Sequence, residues 1–156
     1  MTSFLVDSTL GKLAKWLRIM GYDTVLCECD RNRAFLEEGA RERRIVLTRK
    51  KSLSKREYRG RLMIVEADKI EGQLEEVIRR LDLSPDPDLF FTRCLSCNAV
   101  LEPVERSVVE GRVPPYVYNT QRDFSICPNC GGLFWPGTHK ENMEAFLRKH
   151  NPTGPP

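Results

Sequence analysis

Four of the six cysteines fall in two C-x-x-C pairs, Cys94-Leu95-Ser96-Cys97 and Cys127-Pro128-Asn129-Cys130. Each pair can place two thiolates on one metal while the chain between them folds as a small β-ribbon. Four sulfurs around a tetrahedral Zn²⁺ are the expected result. Gly131 and Gly132 follow the second pair, where backbone amides must turn tightly toward the sulfurs. Four thiolates leave no open coordination position, so this zinc is structural; iron, a disulfide pair and a redox dithiol are the competing uses. Cys27 and Cys29 lie one residue apart, do not match the pattern, and read as buried or idle thiols.

Asp7 directly follows the apolar run Phe4-Leu5-Val6, at the carboxyl end of a predicted strand, where α/β folds place ligand sites. Capping of the next helix, shared with Ser8 or Thr9, is the alternative. Asp30 reads first as a helix cap and Asp68 as an ordinary exposed residue before a helix. Between Arg41 and Arg61 stand ten basic residues against Glu42 and Glu57. Such a cluster is either a solvated face or the sequence-independent part of a nucleic-acid site. Lys12, Lys15, Arg43, Arg44, Arg49, Lys50 and Lys51 are the candidate phosphate contacts. Tyr116 and Tyr118 can stack on bases or fill a core, and Trp135 and His139 divide in the same way between RNA contact and packing.

The elements that must position these groups can be read from periodicity. Phe4 to Val6 is an uninterrupted apolar run of the kind found in strands covered on both faces. Leu10, Leu13, Ala14 and Leu17 share one helical face over residues 9–20, and Gly21 is placed to end the helix. Strands are expected at 24–26, 45–48 and 62–65, with helices at 31–43 and 70–81; residues 51–59 carry no clear pattern. The order β-α-β-α-β-β-α predicts an α/β domain, a three-layer fold with a mainly parallel sheet, over 1–83. Residues 84–90, with Ser84-Pro85-Asp86-Pro87-Asp88, read as a linker. Short β-type segments around the cysteines and a last helix at 141–149 make a zinc-ribbon domain over 91–150. Residues 151–156 read as a disordered tail.

Composition sets the bounds. At 156 residues, 40% hydrophobic and 30% charged, the chain suits one or two globular domains and excludes collagen-like and low-complexity classes. No apolar run approaches the ~20 residues that span a bilayer, and no signal peptide is evident, so a cytoplasmic protein is expected. The net charge of +3 is unevenly spread: residues 1–65 hold 15 Lys and Arg against 8 Asp and Glu, whereas residues 66–88 hold 3 against 8. A basic half points to an anionic partner.

The run Phe4-Leu5-Val6-Asp7-Ser8, then Leu10-Gly11-Lys12-Leu13-Ala14-Lys15-Trp16-Leu17-Arg18 and Gly21-Tyr22-Asp23, resembles the Mut-seven C-terminal RNase family, a PIN-like nuclease fold carrying a zinc ribbon. The resemblance continues through Ile45-Val46-Leu47-Thr48-Arg49, Gln73-Leu74, both cysteine pairs, Val113-Pro114-Pro115-Tyr116-Val117 and Trp135-Pro136-Gly137-Thr138-His139. It implies a metal-dependent endoribonuclease in which acidic side chains hold Mg²⁺ or Mn²⁺ and a bound water attacks the phosphodiester. Asp7 matches the first acid. The second is expected at the start of the second helix, where Asp30 is nearest but Asn32 stands at the usual spacing. The third is expected after Thr48-Arg49, where this chain has Lys50; Asp68 is a further candidate.

Three functions follow as expectations. One is an RNA-cleaving enzyme using Asp7, Asp30 and Asp68 around divalent cations. The second is a non-enzymatic RNA-binding module that lost a metal ligand at Lys50. The third is a protein partner that docks through its ribbon. A lysine ammonium in a cation's ligand shell repels the cation, so the position of Lys50 separates the first from the second.

Overall fold

The computed structural model describes residues 1–29 and 31–150. Asp30 and the tail 151–156 lie outside the described residues. The chain divides into two compact units, Met1–Arg18 with Tyr22–Ser84 and Ile19–Gly21 with Pro85–Pro156.

The first unit is built on a four-stranded parallel sheet, β1 (Ser3–Asp7), β2 (Asp23–Cys27), β3 (Ile45–Thr48) and β4 (Leu62–Ile64), in the order β2-β1-β3-β4. Its helices are α1 (Gly11–Ile19), α2 (Asn32–Arg41) and α3 (Ile70–Arg80). Phe4, Leu5, Val6, Val46 and Leu47 are wholly buried, as continuous apolar strands must be when both faces are covered. Leu5 and Val46 pack with Phe35 and Leu36 of α2, which sets α2 on their face of the sheet. The β1-to-β2 and β2-to-β3 connections run in opposite directions across the sheet. With right-handed crossovers, α1 and α2 therefore take opposite faces, and three layers result.

The expected alternation of strands and helices is present. Residues 51–59, without a clear pattern in sequence, begin with a 3-10 helix at Lys51–Lys55 whose Leu53 is fully buried in the cluster beneath α2. One apolar residue in a short turn is too little to register as periodicity.

In the second unit three short antiparallel strands, β5 (Glu102–Val104), β6 (Phe124–Ile126) and β7 (Leu133–Phe134), form a ribbon, and α6 (His139–His150) follows it. Between β5 and β6 the chain makes two short helices, α4 (Arg106–Val109) and α5 (Pro115–Thr120), where β-type segments were expected. The reason lies in Val109, Val113 and Val117. All three are buried in one cluster with Phe124, and Pro115, in the first turn of α5, has its φ already set for a helix. Gly21, at φ +87°, joins this unit. A Cβ there would collide with the Leu89 carbonyl oxygen, and the Phe91 N–H donates to the Ile19 carbonyl at 2.8 Å. Among the described residues no helix is long and apolar enough to cross a membrane.

Candidate functional site

The chain leaves β1 for β2 on one side and β3 for β4 on the other, so the carboxyl ends of β1 and β3 flank the point where the winding reverses. Open α/β sheets bind ligands at such points. Val6 stands beside Leu47 in the register, which brings the next residues, Asp7 and Thr48, together. Asp7 Oδ1 accepts from the Thr9 N–H and the Thr9 hydroxyl, each at 3.0 Å, and so caps the 3-10 turn Ser8–Leu10. Its Oδ2 accepts from the Thr48 hydroxyl at 3.1 Å and lies 3.4 Å from Lys50 Nζ. The same ammonium donates to Asn32 Oδ1 at 3.3 Å, and the Lys50 N–H donates to Thr48 Oγ1 at 3.1 Å.

Asp7 is thus both a cap and the anion of a buried-edge ion pair, with its side chain 4% exposed against 41% for Lys50. Burial works to raise its pKa. The hydrogen bonds from Thr9 and Thr48 and the Lys50 charge outweigh that, so the carboxyl titrates below its ordinary 3.8 and is ionised at neutral pH.

Among the described residues, the donor set around Asp7 does not by itself suit a hard divalent cation. Mg²⁺ and Mn²⁺ require several oxygen ligands, and here one carboxylate and one amide oxygen are already shared by an ammonium. Among the described residues no group of three or more metal-ligating side chains includes Asp7. Asp68 is 87% exposed and paired with Arg49. Asp30 is outside the described residues.

The basic candidates are split by the sheet. Lys12 and Lys15 are exposed on α1, which starts at the carboxyl edge, and Arg49, Lys50 and Lys51 follow β3 at that same edge. Lys12, Arg49 and Lys69 line a cleft of about 600 Å³ there with Thr9, Asp68 and Gln73. Arg43 and Arg44 precede β3 and lie at the opposite, amino edge. Arg44 bonds both Asp23 carboxylate oxygens, at 2.9 and 3.2 Å, and Glu42 at 2.6 Å, leaving its side chain 15% exposed. The structure therefore does not bring Arg43 and Arg44 to the other candidates. Four residues of strand span about 13 Å, enough to divide one basic run between two ends. Thr48 was absent from the sequence candidates. Its signal was its place at the end of the strand beside β1.

In the second unit the sulfurs of Cys94, Cys97, Cys127 and Cys130 all lie within 4.8 Å of one another, with Cys94 to Cys130 at 3.6 Å and Cys97 to Cys127 at 3.4 Å. A Zn–S bond of about 2.3 Å implies a tetrahedral S···S edge of about 3.8 Å, so the four can close on one metal ion and fit a zinc ribbon. The two knuckles share one hydrogen-bond pattern. The Cys94 N–H donates to the Ala99 carbonyl and the Asn98 N–H to the Cys94 carbonyl; the Cys127 N–H donates to Gly132 and the Gly131 N–H to Cys127. Asn98 (φ +68°) and Gly131 (φ +74°) occupy equivalent left-handed positions, which glycine and asparagine tolerate best. Burial pushes the Cys94 thiol up to about 11, whereas a hydrogen bond from Asn129 brings Cys97 down to about 6.

Of the remaining candidates, Trp135 meets Phe124 edge-on at 6.4 Å and belongs to the ribbon core. His139 is exposed at the start of α6. Tyr118 carries the Arg106 guanidinium over its ring at 4.3 Å, and Tyr116 is 71% exposed. Cys27 and Cys29 are not idle thiols: they are joined in a disulfide.

Compared with protein families, residues 2–147 match the Mut7-C RNAse domain. No curated protein and no solved structure matches the chain.

Proposed function

Because the chain belongs to the Mut7-C RNAse domain family, we propose that it binds RNA at the carboxyl edge of its parallel sheet, and that Lys50 supplies there the positive charge a divalent cation would bring. The observation that carries this reading is the Lys50 ammonium, 3.4 Å from Asp7 Oδ2 and 3.3 Å from Asn32 Oδ1. Two unit charges 4 Å apart interact by about 4 kcal/mol at an effective dielectric near 20, so a dication beside this ammonium would be repelled by about twice that. Lys12, Arg49, Lys50 and Lys51 are the phosphate contacts, and bound RNA is held without being hydrolysed. In the second unit Cys94, Cys97, Cys127 and Cys130 hold one zinc ion, which closes a core too small to fold well alone.

A second reading, metal-dependent hydrolysis of RNA by Asp7 with Asp30 and Asp68, is favoured by the family and by the ionised state of Asp7. It requires the Lys50 ammonium to swing outward, which its half-exposed stem permits.

Titration of a labelled single-stranded RNA, with and without Mn²⁺, separates the readings. We expect binding to wild-type protein, weakening of about tenfold in K12E/K51E, little change in R43E, and intact RNA throughout. Cleavage that requires Mn²⁺ and is lost in D7N would establish the hydrolytic reading instead.

A further inference from the structure

Cys27 and Cys29 lie outside the metal ribbon and outside the ion pair at Asp7, and a carboxylate lies close to both sulfurs. Cys27 ends β2 and is 6% exposed, packed in the cluster of Leu5, Phe35, Leu36, Val46 and Leu53. Cys29, half-buried, packs on the same cluster. Their Cα atoms are 5.2 Å apart, well within the range a disulfide bridges. The Cys29 N–H points at Cys27 Sγ at 3.2 Å. The Glu38 carboxylate of α2 faces both sulfurs: its Oε2 lies 3.5 Å from Cys29 Sγ and 3.9 Å from Cys27 Sγ.

We infer that Cys27 and Cys29 are a reversible dithiol–disulfide site, oxidised by low-molecular-weight disulfides, with Glu38 as the proton acceptor. Each half has a distinct part. The more accessible Cys29 gives its proton to Glu38 and attacks one sulfur of the external disulfide; the external S–S bond breaks, a mixed disulfide forms on Cys29, and the departing thiolate takes a proton. Cys27, fixed in the core beside it, then gives up its proton and attacks Cys29 Sγ. The mixed disulfide breaks, the Cys27–Cys29 bond forms, and the second thiolate leaves and is protonated. Two protein thiols are oxidised to one disulfide, and one external disulfide is reduced to two thiols. Thiolate attack of this kind requires loss of the proton, and the Glu38 carboxylate, 3.5 Å from Cys29 Sγ, is placed to accept it. The same three groups could instead chelate a soft metal, and the test distinguishes the two.

Trypsin cuts after Arg18 and Arg31, releasing residues 19–31 with Cys27 and Cys29 as its only cysteines. The full chain, loaded with zinc, reduced and desalted, is exposed to glutathione disulfide, alkylated, digested and weighed. We expect this peptide to be lighter by two hydrogens and to accept alkylating reagent only after reductant. Cys27→Ala should leave glutathione trapped on Cys29. Glu38→Gln should slow disulfide formation about tenfold at neutral pH, with Glu38→Asp recovering most of the rate. A peptide fully alkylated without reductant, or one whose protection is released by a chelator rather than a reductant, would overturn the redox site. An unchanged rate in Glu38→Gln would overturn the role given to Glu38.

Discussion

At the scale of single residues, the molecule's unusual chemistry is concentrated on Asp7 and Lys50. Replacing both neighbours of the carboxylate, in Asn32→Asp with Lys50→Asp, would put three carboxylates around one point and remove the ammonium. Calorimetry should then detect Mn²⁺ binding about tenfold or more tighter than in wild-type protein. The Asp7 carboxyl is held below its ordinary 3.8, so the folded state favours the ionised form. Its contribution to stability is complete above that unfolded value and is lost as the pH falls through the lower folded one. Asp7→Asn should lower stability by about 1–2 kcal/mol at pH 7 and reduce the loss between pH 4 and pH 2, as read from urea midpoints at each pH.

At the scale of elements, the connection from the 3-10 helix Lys51–Lys55 to β4 carries one evident flaw. The Tyr58 hydroxyl is buried without a hydrogen-bond partner among the described residues, and burial raises its pKa. An unpaired buried hydroxyl costs about 1–3 kcal/mol, while the ring around it packs usefully on the cluster under α2. Tyr58→Phe keeps the ring and removes the penalty. Its melting temperature should rise by several degrees, equivalent to about 1 kcal/mol. The knuckles make the opposite case. Cys94 is fully buried, so Cys94→Ser should abolish metal retention, measured by elemental analysis, and loosen β5–β7 while the β1–β4 sheet keeps its amide protection.

At the scale of the whole molecule, the two units have separate cores, and the four-cysteine cluster lies in the second. Chelation should therefore give two melting transitions, with hydrogen exchange locating the early one in residues 94–134. Charge is also a whole-molecule property. RNA affinity should fall as salt rises, and each lysine reversed at the carboxyl edge should flatten the logarithmic salt dependence by about 0.7. Arg43→Glu should leave that slope unchanged, because its end of the sheet carries Arg44 already committed to Asp23 and Glu42.

The sequence alone determined the parts whose signals are local. Apolar runs and helical stripes marked β1 to β4 and α1 to α3, since a strand buried on both faces can hardly be written otherwise. The spacing of Cys94, Cys97, Cys127 and Cys130 announced the metal ribbon before any fold was known. What only the tertiary structure decided are contacts between residues far apart in the chain. Asp7 meets Thr48 and Lys50 because β1 and β3 are neighbours in register, and Asn32 reaches the same ammonium from the start of α2. The strand Ile45–Thr48 divides the basic run between opposite edges. Glu38 faces Cys27 and Cys29 because α2 folds back over β2's end. None of these pairings has a periodicity to betray it: a hydrogen bond across 41 residues leaves no trace in local composition, and its partners become neighbours only when the sheet assembles.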